Sequence, residues 1–265
     1  MVTQEDINAY INKIPPVSET LQTTIKLLME GELVEAANVA KEDLALSAYL
    51  KHLVNTPSYG FKNEVSEVSQ IFGILGVSGS QQSVYNYMIN LLSPDEWELF
   101  ELNASAFANL QADLSGNWKK ILNHLKVKDN AIESSIALLP ASIIVSEAIF
   151  CEKKDDVILL RSVKAIDFNT ILKRLAGKDL FDVSEQIAQR WNMSEEISQI
   201  IQAASGIKPC PNEQRNTLGK WMHLLLFFTL SKTLYIESGL NDFIEFQIEY
   251  VEEIYEDFAT LMEIS

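Results

Sequence analysis

Apolar residues recur three and four positions apart along most of this 265-residue chain, the spacing that lines one face of a helix. In EDLALSAYLKHLVN, Leu46, Leu50 and Leu53 form such a face, with Ala45 and Tyr49 beside them. SETLQTTIKLLMEG follows Pro15-Pro16, with Ser18 placed to cap the helix N-terminus and Gly31 placed to end it. NEVSEVSQIFGILG puts Val65, Val68, Ile71 or Phe72, and Leu75 on one stripe and ends at Gly76. SEEISQIIQAASG repeats the plan between Ser194 and Gly206. No run alternates long enough to predict a strand, and DDVILLRSV (155–163) alone is short, β-branched and ambiguous. The pattern predicts an all-α fold.

Two breaks divide the pattern. In LVNTPSYGF (53–61), Pro57 disfavours helical geometry at Thr56, so the helix led by Asp43 is expected to end near Asn55. The short Asn55 amide can bond nearby backbone, and Gly60 can turn the chain at positive φ. Tyr59 and Phe61 are then free to pack sideways, pinning the loop to the core. In SPDEW (93–97), Pro94 sits at a first-turn position behind Ser93, so one helix is expected to stop near Leu92 and another to start there. Residues 1–92 then carry about five short helices and 97–236 longer ones, with no linker or internal repeat between the halves. They are expected to pack together.

The last stretch, 237–265, reads as an acidic amphipathic helix. Ile244, Ile248, Val251, Tyr255, Phe258 and Met262 are spaced 4-3-4-3-4, with Glu245, Glu249, Glu252, Glu253 and Glu256 opposite. Such a helix either docks on its own domain with the acids in water or pairs with a second copy or a partner.

Charge sharpens this picture. The net charge is −16, and 237–265 holds nine acids without a Lys or Arg, leaving 28 acids against 21 bases elsewhere. That balance opposes general binding to nucleic acid or anionic membrane, which requires clustered cations. The most apolar run, WMHLLLFFTL (221–230), is ten residues long and contains His223, which suits a buried core helix rather than a bilayer span. Cys151 and Cys210 form no C-x-x-C pair, and the N-terminus lacks a signal-peptide pattern, so a reducing, cytoplasmic setting is expected.

IPPVSETLQTTIKLL, EDLALSAYLKHLVNTPSYGF and NEVSEVSQIFGILG, in this order over Ile14–Gly76, resemble the signature of HDOD domains. That pattern is a Pro-Pro start, an Asp-led helix ending in Asn-Ser/Thr, a Tyr-Gly turn, and a helix closing in Leu-Gly. Helices beyond Pro94, including QRWNMSEEISQII, look like the family's second half. The resemblance implies a multi-helix HDOD/HD-like bundle over 12–236. It has an N-terminal half of five helices (12–92) and a degenerate HD-like half (97–236), and the 237–265 helix follows.

The same resemblance implies a chemical question. HDOD domains are similar to HD-type phosphohydrolases, which grip metal ions with His and Asp from several helices to activate a water. The His-Asp position of that family falls in LLPASI, at Pro140-Ala141; further ligand positions fall near Leu180 and at Ala204-Ser205, and an earlier one near Ala104. None of these side chains holds a cation as His or Asp would. The three histidines, His52, His124 and His223, are each followed by Leu. No metal, cofactor or hydrolase activity is therefore expected.

Other motifs are weaker. GVSGSQQS (76–83) lacks the spacing and Lys of a phosphate loop and reads as a Gly stop before a Ser-capped helix. NWKKILNHLKVKD carries Lys119, Lys120, Lys126 and Lys128 around His124, either a solvated face or a contact for an acidic partner. His52 reads as a surface residue; Cys151 and Cys210 have no nearby His, and Asp155-Asp156 reads as an exposed turn. The expected function is a non-catalytic regulatory or scaffolding module of bacterial signal transduction, acting through protein contacts at Asn55, Ser58, Tyr59 and Phe61. The alternative for that loop is plain structural closure. Two other functions compete: a sensor binding a nucleotide or anion in the vestigial pocket lined by Pro140, Ala204 and Ser205, and a residual phosphohydrolase.

Overall fold

The computed structural model describes residues 18–55, 61, 63–94, 96–191, 193–207 and 210–264, and contains no strand among them. In chain order the helices are α1 (Glu19–Met29), α2 (Leu33–Ala40), α3 (Leu44–Val54), α4 (Val68–Asn90), α5 (Ala104–His124), α6 (Asn130–Ser135) and α7 (Leu138–Glu152). They continue with α8 (Lys154–Lys164), α9 (Phe168–Ala176), α10 (Leu180–Arg190), α11 (Glu195–Ala204), α12 (Glu213–Leu230), α13 (Thr233–Glu237), a 3-10 turn (Leu240–Phe243) and α14 (Ile248–Leu261). The chain divides into two compact units, one built from 16–91 and 129–134, the other from 92–128 and 135–265.

In the first unit α4 packs against α1, α2 and α3. Local chemistry sets the ends of these helices. The Ser18 hydroxyl accepts from Leu21 N, and the Asp43 carboxylate accepts from Ala45 N and Leu46 N. Gly31 stands at φ 82° beyond α1. Gly76, at φ 68° and ψ −179°, bends α4 into two helical pieces, so the first ends where expected and the second starts at once. The buried side of α3 is rotated from expectation: Leu46, Ser47, Leu50 and Val54 are buried, whereas Ala45 is exposed and Leu53 half-buried.

The second unit is built on α7, where every residue from Leu138 to Glu147 is buried. The 130–152 stretch passes the length and hydropathy of a membrane span (mean hydropathy 1.8), yet 89% of its apolar window is buried in the protein, as in a core helix. α10 packs on α7 and α11, and α12 lies against α11 and α14. DDVILLRSV resolves as α8.

Two expectations are corrected here. Among the described residues no helix begins behind Ser93-Pro94; 96–102 are irregular, and Asn103 caps α5. The reason is Glu147, whose buried carboxylate accepts Glu98 N (2.5 Å), Leu99 N (3.0 Å) and Phe100 N (3.1 Å). Three backbone donors are thereby satisfied outside any helix. The C-terminal stripe also differs. The helix starts at Ile248, and Val251, Ile254 and Phe258 are its buried residues, while Ile248 and Tyr255 are exposed. A straight helix rotates past a 4-3 seam, so Ile254 replaces Tyr255 on the side facing α12.

Candidate functional site

One amide links the end of α3 to Val65, shortly before α4. Asn55 Nδ2 donates to Lys51 O (2.8 Å) and Val65 O (2.9 Å), and Asn55 Oδ1 accepts from Val65 N (2.9 Å). Asn55 thus pairs with both backbone groups of Val65, as a neighbouring strand would, and ties the start of α4 to the end of α3. Ser58 and Tyr59 lie outside the described residues. Phe61 keeps 45% of its surface exposed. His52, in the last turn of α3, is exposed.

The positions where a metal enzyme of this shape would hold its ligands all lie in the second unit. Pro140 and Ala141 are buried within α7. Leu180 begins α10, where Asp179 and Asp182 form a capping box. Ala204 ends α11 and Ser205 caps it. The fold brings Leu180 and Ser205 to one small cavity, which Pro140 and Ala141 do not line. Its volume, counted as room for the centre of a water-sized sphere, is about 10 Å³, enough for one water molecule. Ala104, at the start of α5, is exposed. The Ser205 hydroxyl is engaged locally, donating to Gln202 O (2.7 Å) and accepting from Ile207 N (3.2 Å).

Reading the sequence missed what surrounds these positions. A helix C-terminus leaves carbonyls without intrahelical donors, and at α11 other elements supply them. His223 Nδ1 lies 2.9 Å from Ala204 O, Tyr250 Oη donates to Ala203 O (2.5 Å), and Gln247 Nε2 donates to Ser205 O (3.3 Å). A carbonyl only accepts, so Nδ1 of His223 carries the proton and Nε2 is a bare acceptor. That Nε2 is buried without a hydrogen-bond partner, as is Asn169 Oδ1, and both residues line the small cavity. Burial holds the His223 pKa below its usual value, against the opposing pull of the Ala204 bond, so the ring is neutral. Burial, and then the charge of Asp182, raise the pKa of Asp179 on the same cavity wall. Burial likewise raises the Tyr250 hydroxyl. An isolated His in an apolar run is the one signal in the sequence that could have marked this place.

Among the described residues no three His, Cys, Asp or Glu side chains gather as metal ligands would. His124 is spent elsewhere, its Nε2 lying 2.9 Å from Asp257 Oδ2. The Cys151 thiol is held away from its thiolate: burial, then the charge of Glu147, push it up to about 12, and Sγ donates to Glu147 Oε1 (3.3 Å).

A larger opening lies elsewhere in the unit. A cleft of about 550 Å³ is walled by α8, by the turn between α13 and the 3-10 segment, and by residues 99–101. Phe168 forms part of it and belongs to a cluster of rings with Phe100, Phe150 and Phe243, at centroid distances of 5.1–6.3 Å.

The HDOD domain family model matches residues 13–206, well over half of the chain. No curated protein matches the chain. The fold is similar to the crystal structure of an HDOD domain protein with unknown function from Geobacter sulfurreducens. The TM-score is 0.63 at 15% identity, covering 98% of this chain and 95% of that one.

Proposed function

The chain belongs to the HDOD domain family, a signalling-related HD-like domain, and from that premise we propose that it is a non-catalytic regulatory or scaffolding protein of bacterial signalling. It works through protein–protein contacts in the cytoplasm. The observation that carries this reading is the state of the expected ligand positions. Pro140, Ala141, Leu180 and Ala204 are buried and present no side-chain ligand atom, and Ser205 spends its hydroxyl on its own backbone. A hydrolase also needs space for substrate beside its metal, and the cavity at Leu180 and Ser205 has room for about one water.

The sensor reading has one observation in its favour, the partnerless Nε2 of His223 and Oδ1 of Asn169 at that cavity. Its size fits water rather than a nucleotide, since small-molecule sites run from about 300 Å³ upward. The exposed ring of Phe61, beside the loop that Asn55 holds, suits a partner contact, because aromatic side chains give large contact area. The test is turnover of a chromogenic phosphodiester by the full chain with Mg²⁺, Mn²⁺ or Fe²⁺. The expected result is a rate equal to that of metal in buffer. Turnover that tracks the protein concentration overturns the reading.

A further inference from the structure

We propose that the cleft between α8 and the turn after α13 is a docking site for a basic amphipathic segment of a protein partner. This rests on the reading of the protein as a contact module and says where and what it contacts.

Size and shape come first. About 550 Å³ is ample for an anchoring side chain and its backbone. The apolar part of the lining comes from Leu99, Val157, Ile158 and Phe168. Ile158, which lines the cleft, keeps 45% of its surface exposed. Single exposed aliphatics are ordinary, but this one belongs to a cleft floor. An amphipathic helix can lay its apolar face on that lining and turn its polar side to the rim.

Charge selects the occupant. The lining holds one described cation, Arg161, and it is already used. Its guanidinium lies 4.2 Å above the Phe168 ring centroid and pairs with Asp242. Glu101 and Glu237, both exposed, supply carboxylates with no ion-pair partner among the described residues. An apolar floor with unpaired acids at the rim fits Lys or Arg, whose stems are apolar and whose heads are cationic. It repels a nucleic acid or an anionic membrane.

The walls are also set in advance. Ser238 Oγ bonds to Glu101 O (2.9 Å) and Leu234 O (3.1 Å), joining two sides of the cleft. Glu147 fixes the backbone at 98–100. Ala165 turns the chain out of α8 at φ 48°. A site formed before binding loses less entropy when occupied.

The experiment uses the full chain and a dye-labelled helical peptide of Leu and Lys, with a Leu/Glu peptide as its opposite and spermidine as a small cationic competitor. Anisotropy reports affinity, and hydrogen exchange reports location. The Leu/Lys peptide is expected to bind and to protect 154–165 and 233–243. The Glu101→Gln/Glu237→Gln variant should weaken binding by about tenfold, and Ile158→Ser should weaken it independently of charge. Glu252→Gln/Glu256→Gln, an equal loss of charge on α14, should change it by less than about twofold. Each replaced side chain is exposed, so the melting temperatures should match that of the parent. Absence of binding, equal weakening by the α14 variant, equal binding of the Leu/Glu peptide, or full displacement by spermidine overturns the proposal. Protection at 53–67 in place of the cleft also overturns it but leaves the contact-module reading standing. Phosphodiester turnover brings down that reading whatever the peptide does.

Discussion

Asn55 shows how one side chain expected at a partner contact also serves structure. Its amide closes three bonds, two of them to Val65, ten residues on. Replacing Asn55 with Ala removes both the donors and the acceptor. The variant is expected to lose about 1–2 kcal/mol in urea unfolding, within the range for a few partly exposed hydrogen bonds. Asn55→Asp, which keeps the acceptor and loses the donors, should fall between the variant and the parent. His223 makes a prediction about pH. Its folded pKa is lowered by burial, so the unfolded chain takes up a proton that the fold resists. The stability it allows is complete above the unfolded value of about 6.5 and is lost as pH falls from there towards the folded value. Asp179, raised by burial, acts with the opposite sign in a lower window above the ordinary aspartate value. Melting temperatures between about pH 7.5 and pH 5.5 should therefore decline, and His223→Gln should flatten the decline. An unchanged slope would remove His223 as its source.

Helix ends were legible because capping is local: Ser18, Asp43 and Ser194 announce starts, and Gly31, Gly76 and Gly206 announce stops within a few residues. What the sequence concealed depends on partners distant along the chain. Glu147 replaces a helix with an irregular segment nearly fifty residues earlier, and His223 caps a helix that ended nineteen residues before it. The likeness to HD enzymes pointed to Leu180 and Ser205, which do share a cavity, but placed Pro140 and Ala204 in a pocket with Ser205, and neither lines that cavity.

Among the elements, α12 comes very close to α11 at Gly219. A Cβ on Gly219 would stand 2.6 Å from Ala203 Cβ and 2.9 Å from backbone atoms of Ala203 and Ala204. These are rigid helix atoms, so Gly219→Ala must push α11 and α12 apart and disturb the carbonyls that His223 and Tyr250 cap. A loss of about 1–3 kcal/mol is expected by chemical denaturation. The terminal helix α14 depends on burial more than on charge. Its ion pairs, Glu253–Lys220, Asp257–His124 and Glu263–Lys120, are largely exposed on the acidic side. Val251, Ile254 and Phe258 are buried. Phe258→Ala should cost about 3–5 kcal/mol, and added salt should move the melting temperature little. A steep fall of stability with salt would reverse that ranking.

Over the whole molecule, the uneven charge has a partial internal answer. In the sequence, the basic stretch around His124 is either a solvated face or a partner contact, and the acidic last helix either docks on its own domain or pairs with a partner. In the second unit they meet, through Lys120 and His124 on α5 and Glu263 and Asp257 on α14. Glu101 and Glu237, which have no such partner among the described residues, line the apolar cleft. On the proposed reading, Leu180 and Ala204 stand where an HD enzyme would place its ligands, and recognition is assigned to the exterior. Manganese binding tests this replacement most directly. When the full chain is titrated with Mn²⁺ and the free ion is followed by electron paramagnetic resonance, the free signal should equal the added ion, as in buffer. Disappearance of one equivalent, restored by His223→Gln or Asp179→Asn, would contradict it.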